Sequence, residues 1–169
     1  MPDPKRIPDE LKWRMAAEFA VKMPALYDRA FRSVVGKRYD GIEQEIWMEL
    51  ARTVAGYARD IPLTARNAKE IAETLWTVLS ILYGPPYKAE VLELEGDKAV
   101  IIVKRCPFIE DEEVPGCTGD CIFHKCLALT LASVALLNKK YSARFVRTMC
   151  TGDRQCEIKV AVEEEPDNR

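Results

Sequence analysis

The first 105 residues contain no cysteine, and the whole 169-residue chain holds a single histidine, His124. A centre built on several imidazoles is excluded by that count alone. There is no run of about 18 uncharged apolar residues, the length a membrane-crossing helix needs. The longest apolar stretch, Cys126 to Leu137, is shorter and carries Thr130 and Ser133. The opening residues, Met-Pro-Asp-Pro-Lys-Arg-Ile-Pro-Asp-Glu, lack the apolar centre of a secretory signal, so a cytoplasmic protein is expected. Nor does one sign of charge dominate: 25 Lys and Arg face 27 Asp and Glu, a net of -2. Nucleic acid and anionic membranes are therefore not expected partners. A phosphate-cradling glycine loop and a dinucleotide fingerprint are missing as well.

What is present is long enough for one compact domain with a sizeable core. Residues 1–86 read as a helical region and 87–165 as a cysteine-rich α+β region packed with it. Leu11, Met15, Phe19, Met23, Leu26, Ala30 and Val34 step by three or four, the stripe of an amphipathic helix from about Asp9 to Val35. Pro24 is expected to kink or split it, and Gly36 to stop it. After Asp40-Gly41 a second stripe, Ile42, Ile46, Leu50, Val54, Tyr57 and Ile61, predicts a helix ending near Arg59, before Pro62. Asn67-Ala-Lys-Glu70 has the form of a capping box. It opens a third helix, with Ile71, Leu75, Val78, Leu79 and Leu82 inward, that Gly84-Pro-Pro86 ends. Trp13, Trp47 and Trp76 fall on or near the apolar faces as core or interface residues.

The period then changes to two. Tyr87 to Leu94 and Ala99 to Val103 predict a hairpin across Glu95-Gly-Asp-Lys98, followed by an acidic, proline-containing loop. A helix from about Cys121 to Lys139 is apolar nearly all round, the composition of a buried helix. Ala143 to Met149 and Glu157 to Val162 make a second hairpin. The order of elements indicates an α+β fold, with N-terminal helices packed on an antiparallel sheet of two β-hairpins and a buried helix.

All six cysteines lie between Cys106 and Cys156. In a reducing compartment such clusters serve as metal ligands or redox groups more often than as disulfides. The second hairpin sets Cys150 and Cys156 on either side of Thr-Gly-Asp-Arg-Gln155, and Cys106 ends the first hairpin, so three thiols are expected at one sheet edge. Cys117, Cys121, His124 and Cys126 compete for a fourth place. Were the helix to begin near Cys121, His124 would share that residue's face, with Cys126 about 140° away. Were it to begin near Lys125, Cys126 would lie in the first turn, where the helix dipole favours a thiolate. Four thiolates suit tetrahedral zinc and equally an iron–sulfur cluster. The spacings match neither a zinc-ribbon pair nor a ferredoxin run.

The segments AVIIVKRCPF and RTMCTGDRQCEIKV, with a cysteine before a buried helix between them, resemble the 4-vinyl reductase or hydrocarbon-binding domain. They are similar also to the related family named for L-2-amino-thiazoline-4-carboxylic acid hydrolase. The resemblance covers roughly the last 75 residues. It implies a fold like that of the TRAPP trafficking subunits and haem nitric-oxide sensors: helices on a four-stranded antiparallel sheet, often dimeric. It also implies Cys106, Cys126, Cys150 and Cys156 as the shared metal set, leaving Cys117, Cys121 and His124 as an outer group.

The expected function is a metal-binding sensor or accessory factor for a small apolar or aromatic ligand. The alternatives are a hydrolase of a small thiazoline- or amide-like substrate, metal- or cysteine-dependent, and a non-enzymatic homodimeric assembly subunit using its N-terminal helices as the dimer face.

Overall fold

The computed structural model describes residues 4–110 and 119–163. Five helices, α1 (Asp9–Val35), α2 (Arg38–Asp60), α3 (Ala68–Tyr83), the single-turn α4 (Pro107–Glu110) and α5 (Gly119–Leu137), accompany four strands. These are β1 (Lys88–Leu94), β2 (Lys98–Arg105), β3 (Tyr141–Arg147) and β4 (Cys156–Val162). The strands form one antiparallel sheet in the order β1-β2-β4-β3, so the two hairpins lie side by side and β2 joins β4 at the centre. This is the expected α+β architecture.

Strand alternation decides which face meets the helices. In β2, Ala99, Ile101 and Val103 are buried; in β4, Cys156, Ile158 and Val160 are. The register sets these residues opposite one another, Ala99 with Val160, Ile101 with Ile158 and Val103 with Cys156. One continuous apolar surface results. The helices α3 and α5 cover it, and α2 lies outside them, packed chiefly on α5.

α3 is anchored at both ends by its sequence. Asn67 Oδ1 accepts the Glu70 amide at 2.9 Å, while the Glu70 carboxylate reaches back to the Arg66 amide at 2.9 Å, one residue earlier than a standard capping box. Asp97, in the β1–β2 turn, accepts from the Ala68 amide at 2.9 Å and from the Tyr141 hydroxyl at 2.5 Å, tying both hairpins to the start of α3. At the other end, Gly84 adopts φ +71°, and a Cβ there would meet Ala17 Cβ of α1 at 2.6 Å. Only glycine permits both the turn and that approach.

Several boundaries differ from expectation. α1 runs unbroken through Pro24, whose ring costs the helix one amide donor while the neighbouring bonds persist. α2 begins at Arg38, ahead of Asp40-Gly41, because Gly36 reverses the chain at once and Arg32 pairs with Asp40 across the turn. The periodicity left open which way the apolar stripes face. The α1 stripe does not enter the core: Phe19 is 67% and Val34 83% exposed, and Met15 and Leu26 are exposed too. The buried residues of α1 are Ala17, Val21 and Asp28. On α2, Ile42, Ile46 and Tyr57 likewise face out, whereas Trp47, Ala51, Val54, Ala55 and Ala58 face in. Small residues let a helix approach close to its neighbours, and on α1 Ala17 and Val21 take the inner side in place of the bulky stripe, while on α2 alanines accompany Trp47 there. Trp47 is core, Trp76 packs against it, and Trp13 is exposed with its indole N–H donating to the Ile81 carbonyl at 2.7 Å.

No helix among the described residues is long and apolar enough to cross a membrane.

Candidate functional site

The thiols gather where the hairpins end. β2 stops at Arg105, and Cys106 begins the turn into α4, its carbonyl accepting from the Ile109 amide at 3.1 Å. Cys156 opens β4 beside Val103 of β2, at that same end of the sheet. Between β3 and β4 the chain folds into a tight turn. The Thr148 hydroxyl accepts from the Cys150 amide at 3.2 Å, Asp153 accepts from the Thr148 amide at 2.8 Å, and Gly152 takes φ 103°. The Met149 amide donates to Cys156 Sγ at 3.3 Å. Cys126 arrives from α5, which packs on β3 and on this turn.

Aromatic rings close the region from the other side. Phe108 makes edge contacts with Trp47 and Tyr83, at centroid separations of 6.3 and 5.0 Å, and Tyr83 with Tyr87 at 5.6 Å. In these surroundings a charged thiolate or phenolate is disfavoured. Burial pushes the Cys106 thiol up to about 12, against a smaller opposing effect of the Phe108 amide, and the charges of Cys150 and Cys156 add to the rise. Burial also holds Cys126 well above the usual thiol range, reinforced by the charges of Cys106, Cys150 and Cys156. Tyr83 and Tyr87 are raised for the same first reason, and then by the charge of Cys126. The four thiols thus lie within electrostatic reach of one another.

Among the described residues no group of three or more His, Cys, Asp or Glu side chains could hold a metal ion, so the expected zinc or iron–sulfur site on Cys106, Cys126, Cys150 and Cys156 is corrected. A metal ligand must be a thiolate, and at Cys106 and Cys126 burial favours the protonated form. The position of Cys126 differs from the dipole argument as well. α5 starts at Gly119, which sets Cys126 about two turns into the helix, beyond the reach of its positive end.

The outer group is dispersed. His124 is exposed on α5, its ring 6.1 Å from that of Phe123. Cys121 lies within α5, but its side chain is outside the described residues, as are Cys117 and the acidic loop before it.

A second cluster went unread in the sequence. Asp28 of α1, Glu43 of α2 and Lys125 of α5 are buried together, 1%, 7% and 7% exposed, with Arg32 pairing to both carboxylates. A signal for it existed: Asp28 shares the spacing of Ala17 and Val21, four and then seven residues apart, on the face opposite the apolar stripe.

No family model matches the sequence, and no curated protein matches it. Among solved structures, the chain is similar to trafficking protein particle complex subunit 3 of Naegleria fowleri, solved covalently bound to palmitic acid. The TM-score is 0.55 at 14% identity, over 92% of this chain and 97% of that one. The two share a fold. That fold is the one expected for this chain, whereas its description as a metal-binding protein is overturned by the side-chain placement among the described residues.

Proposed function

We propose that the protein is a non-enzymatic assembly subunit that pairs with a second copy of itself through α1 and α2. The observation that carries this reading is the outward direction of the helices' apolar stripes: Met15, Phe19, Leu26 and Val34 on α1, Ile42 and Ile46 on α2, all exposed. A helix of a soluble single chain buries such a stripe, and large exposed apolar surfaces mark contact sites. Solvent would instead be met by polar residues if the chain worked alone. The fold shared with a subunit of a trafficking complex supports the same reading. Burial favours the protonated form of Cys106 and Cys126, and protonated thiols are weak nucleophiles, which favours assembly over a hydrolase built on either of them.

Sedimentation velocity at micromolar concentration tests it. The expected outcome is a dimer that Phe19→Glu converts to a folded monomer, because a carboxylate in a desolvated interface is strongly disfavoured. A wild-type monomer at that concentration would sink the proposal.

A further inference from the structure

The sheet has a second face, turned away from α3 and α5, which self-pairing through α1 and α2 does not use. In β2, β3 and β4 its side chains are half-buried or exposed where those of the helix-covered face are almost all buried. Strand register sorts this outer face into two halves. On β1 and β2 it is apolar: Leu92 lies opposite Val100, with Leu94 and Ile102 beside them. Leu92 and Leu94 are 46% and 44% exposed. On β4 and β3 it is basic: Lys159, the partner of Val100, lies directly opposite Arg144. Lys98 adjoins both halves, between Leu94 and Ala161.

The basic half is not arranged for stability. Elsewhere on the same face opposite charges meet, Lys104 Nζ at 2.8 Å from Glu90 Oε2 and Arg147 NH1 at 3.6 Å from Glu157 Oε1. Lys98, Arg144 and Lys159 have no such partner among the described residues. Like charges set directly opposite across two strands destabilise a sheet, so Arg144 against Lys159 is a cost that solubility alone does not require. The open face of an antiparallel sheet is ordinarily polar, and adjoining exposed apolar side chains rimmed by charge mark a contact surface.

We propose that this face docks an amphipathic acidic helix of a partner protein, its apolar side on Leu92, Val100 and Ile102 and its carboxylates over Lys98, Lys159 and Arg144. Charge complementarity and dimensions both favour that occupant. Strands about 4.8 Å apart give four of them a width of about 14 Å, and a helix about 10 Å across meets the apolar and basic halves together. A bilayer suits the face less well, because these apolar side chains lie in a sheet at the level of the charges and do not reach beneath lipid headgroups. Nucleic acid, held through its phosphates, would leave the apolar half uncovered.

The probe is a fluorescein-labelled synthetic peptide of about 18 residues, five helical turns, with Leu at every third or fourth position and Glu beside each. Its fluorescence anisotropy, titrated with the wild-type chain, should saturate with a Kd on the order of tens of micromolar. A twin peptide with Lys for Glu should bind at least about tenfold more weakly. Arg144→Glu should weaken the acidic peptide at least about tenfold while its Tm equals or exceeds that of wild type, since the new carboxylate faces Lys159. Leu92→Ser should weaken it about threefold. The proposal is overturned if the lysine twin binds as tightly, if folded Arg144→Glu and Leu92→Ser both bind unchanged, or if no saturation appears up to about 1 mM. Co-sedimentation of the chain with phosphatidylcholine–phosphatidylserine vesicles that Arg144→Glu abolishes would overturn it in favour of a membrane. A change in the sedimentation coefficient of the chain alone on Arg144→Glu would overturn it in favour of a second copy. A chain shortened to end at Glu163 should bind the peptide as wild type does, and binding about tenfold tighter would make the chain's own acidic end the occupant instead.

Discussion

With burial lifting its titration to about 12, the Cys106 thiol carries at pH 8 a thiolate fraction about a thousandfold below that of an exposed cysteine. Alkylation by iodoacetamide, followed peptide by peptide in a mass spectrometer, should therefore be at least about a hundredfold slower at Cys106 in the folded protein than in urea. Equal rates would contradict the buried environment. A thiol that titrates higher in the folded chain also binds more protons there. Its stabilising contribution is thus present below pH 9.0 and lost as pH rises towards about 12. Glu70 has the opposite sign. The Arg66 side chain and amide hold its carboxylate down to about 2 from an ordinary 4.5, so its contribution is present above pH 4.5 and lost as pH falls towards 2. Thermal melts of Glu70→Gln should show a lower Tm than wild type at pH 7 and a difference that closes across that interval; a constant difference would show that the pair is not ionic in origin. The Asn67–Glu70 signature was legible because capping is local chemistry. The Asp28–Glu43–Lys125 cluster was not, because a charge at one position of an amphipathic helix acquires meaning only when two other helices bring their own.

Each helix existed in the sequence as a periodicity, and the three N-terminal helices, both hairpins and the buried α5 appear near their expected places. What periodicity could not supply was the inward direction. It marked Phe19 and Val34 as one face of α1 without saying what that face meets, and the structure puts Ala17, Val21 and Asp28 inward instead. Gly84 shows why: α1 crosses the end of α3 so closely that a methyl at position 84 would lie 2.6 Å from Ala17 Cβ, an approach that a bulky inner face would forbid. Gly84→Ala should accordingly destabilise the protein by about 1–3 kcal/mol in urea unfolding, from the left-handed backbone and the clash together. Adding Ala17→Gly should return part of that loss, and a purely additive double mutant would show that the contact is not the cause.

At the scale of the molecule, the outward stripes make stability and association one question. If two copies pair through α1 and α2, the Tm should rise with protein concentration between micromolar and hundreds of micromolar, by mass action, and Phe19→Glu should abolish that dependence. A concentration-independent Tm in both would count against the dimer. The sequence by itself determined the α+β class, the element order and the meeting of the two hairpin ends near Cys106, Cys150 and Cys156, since these follow from periodicity, turn residues and chain connectivity, all local properties. Tertiary structure alone decided that β2 pairs with β4, that α1 turns its bulky stripe outward, and that Cys106 and Cys126 sit in apolar surroundings that favour their protonated form. Those outcomes depend on which surfaces compete for the same core, and the small residues won because they let the helices come closest.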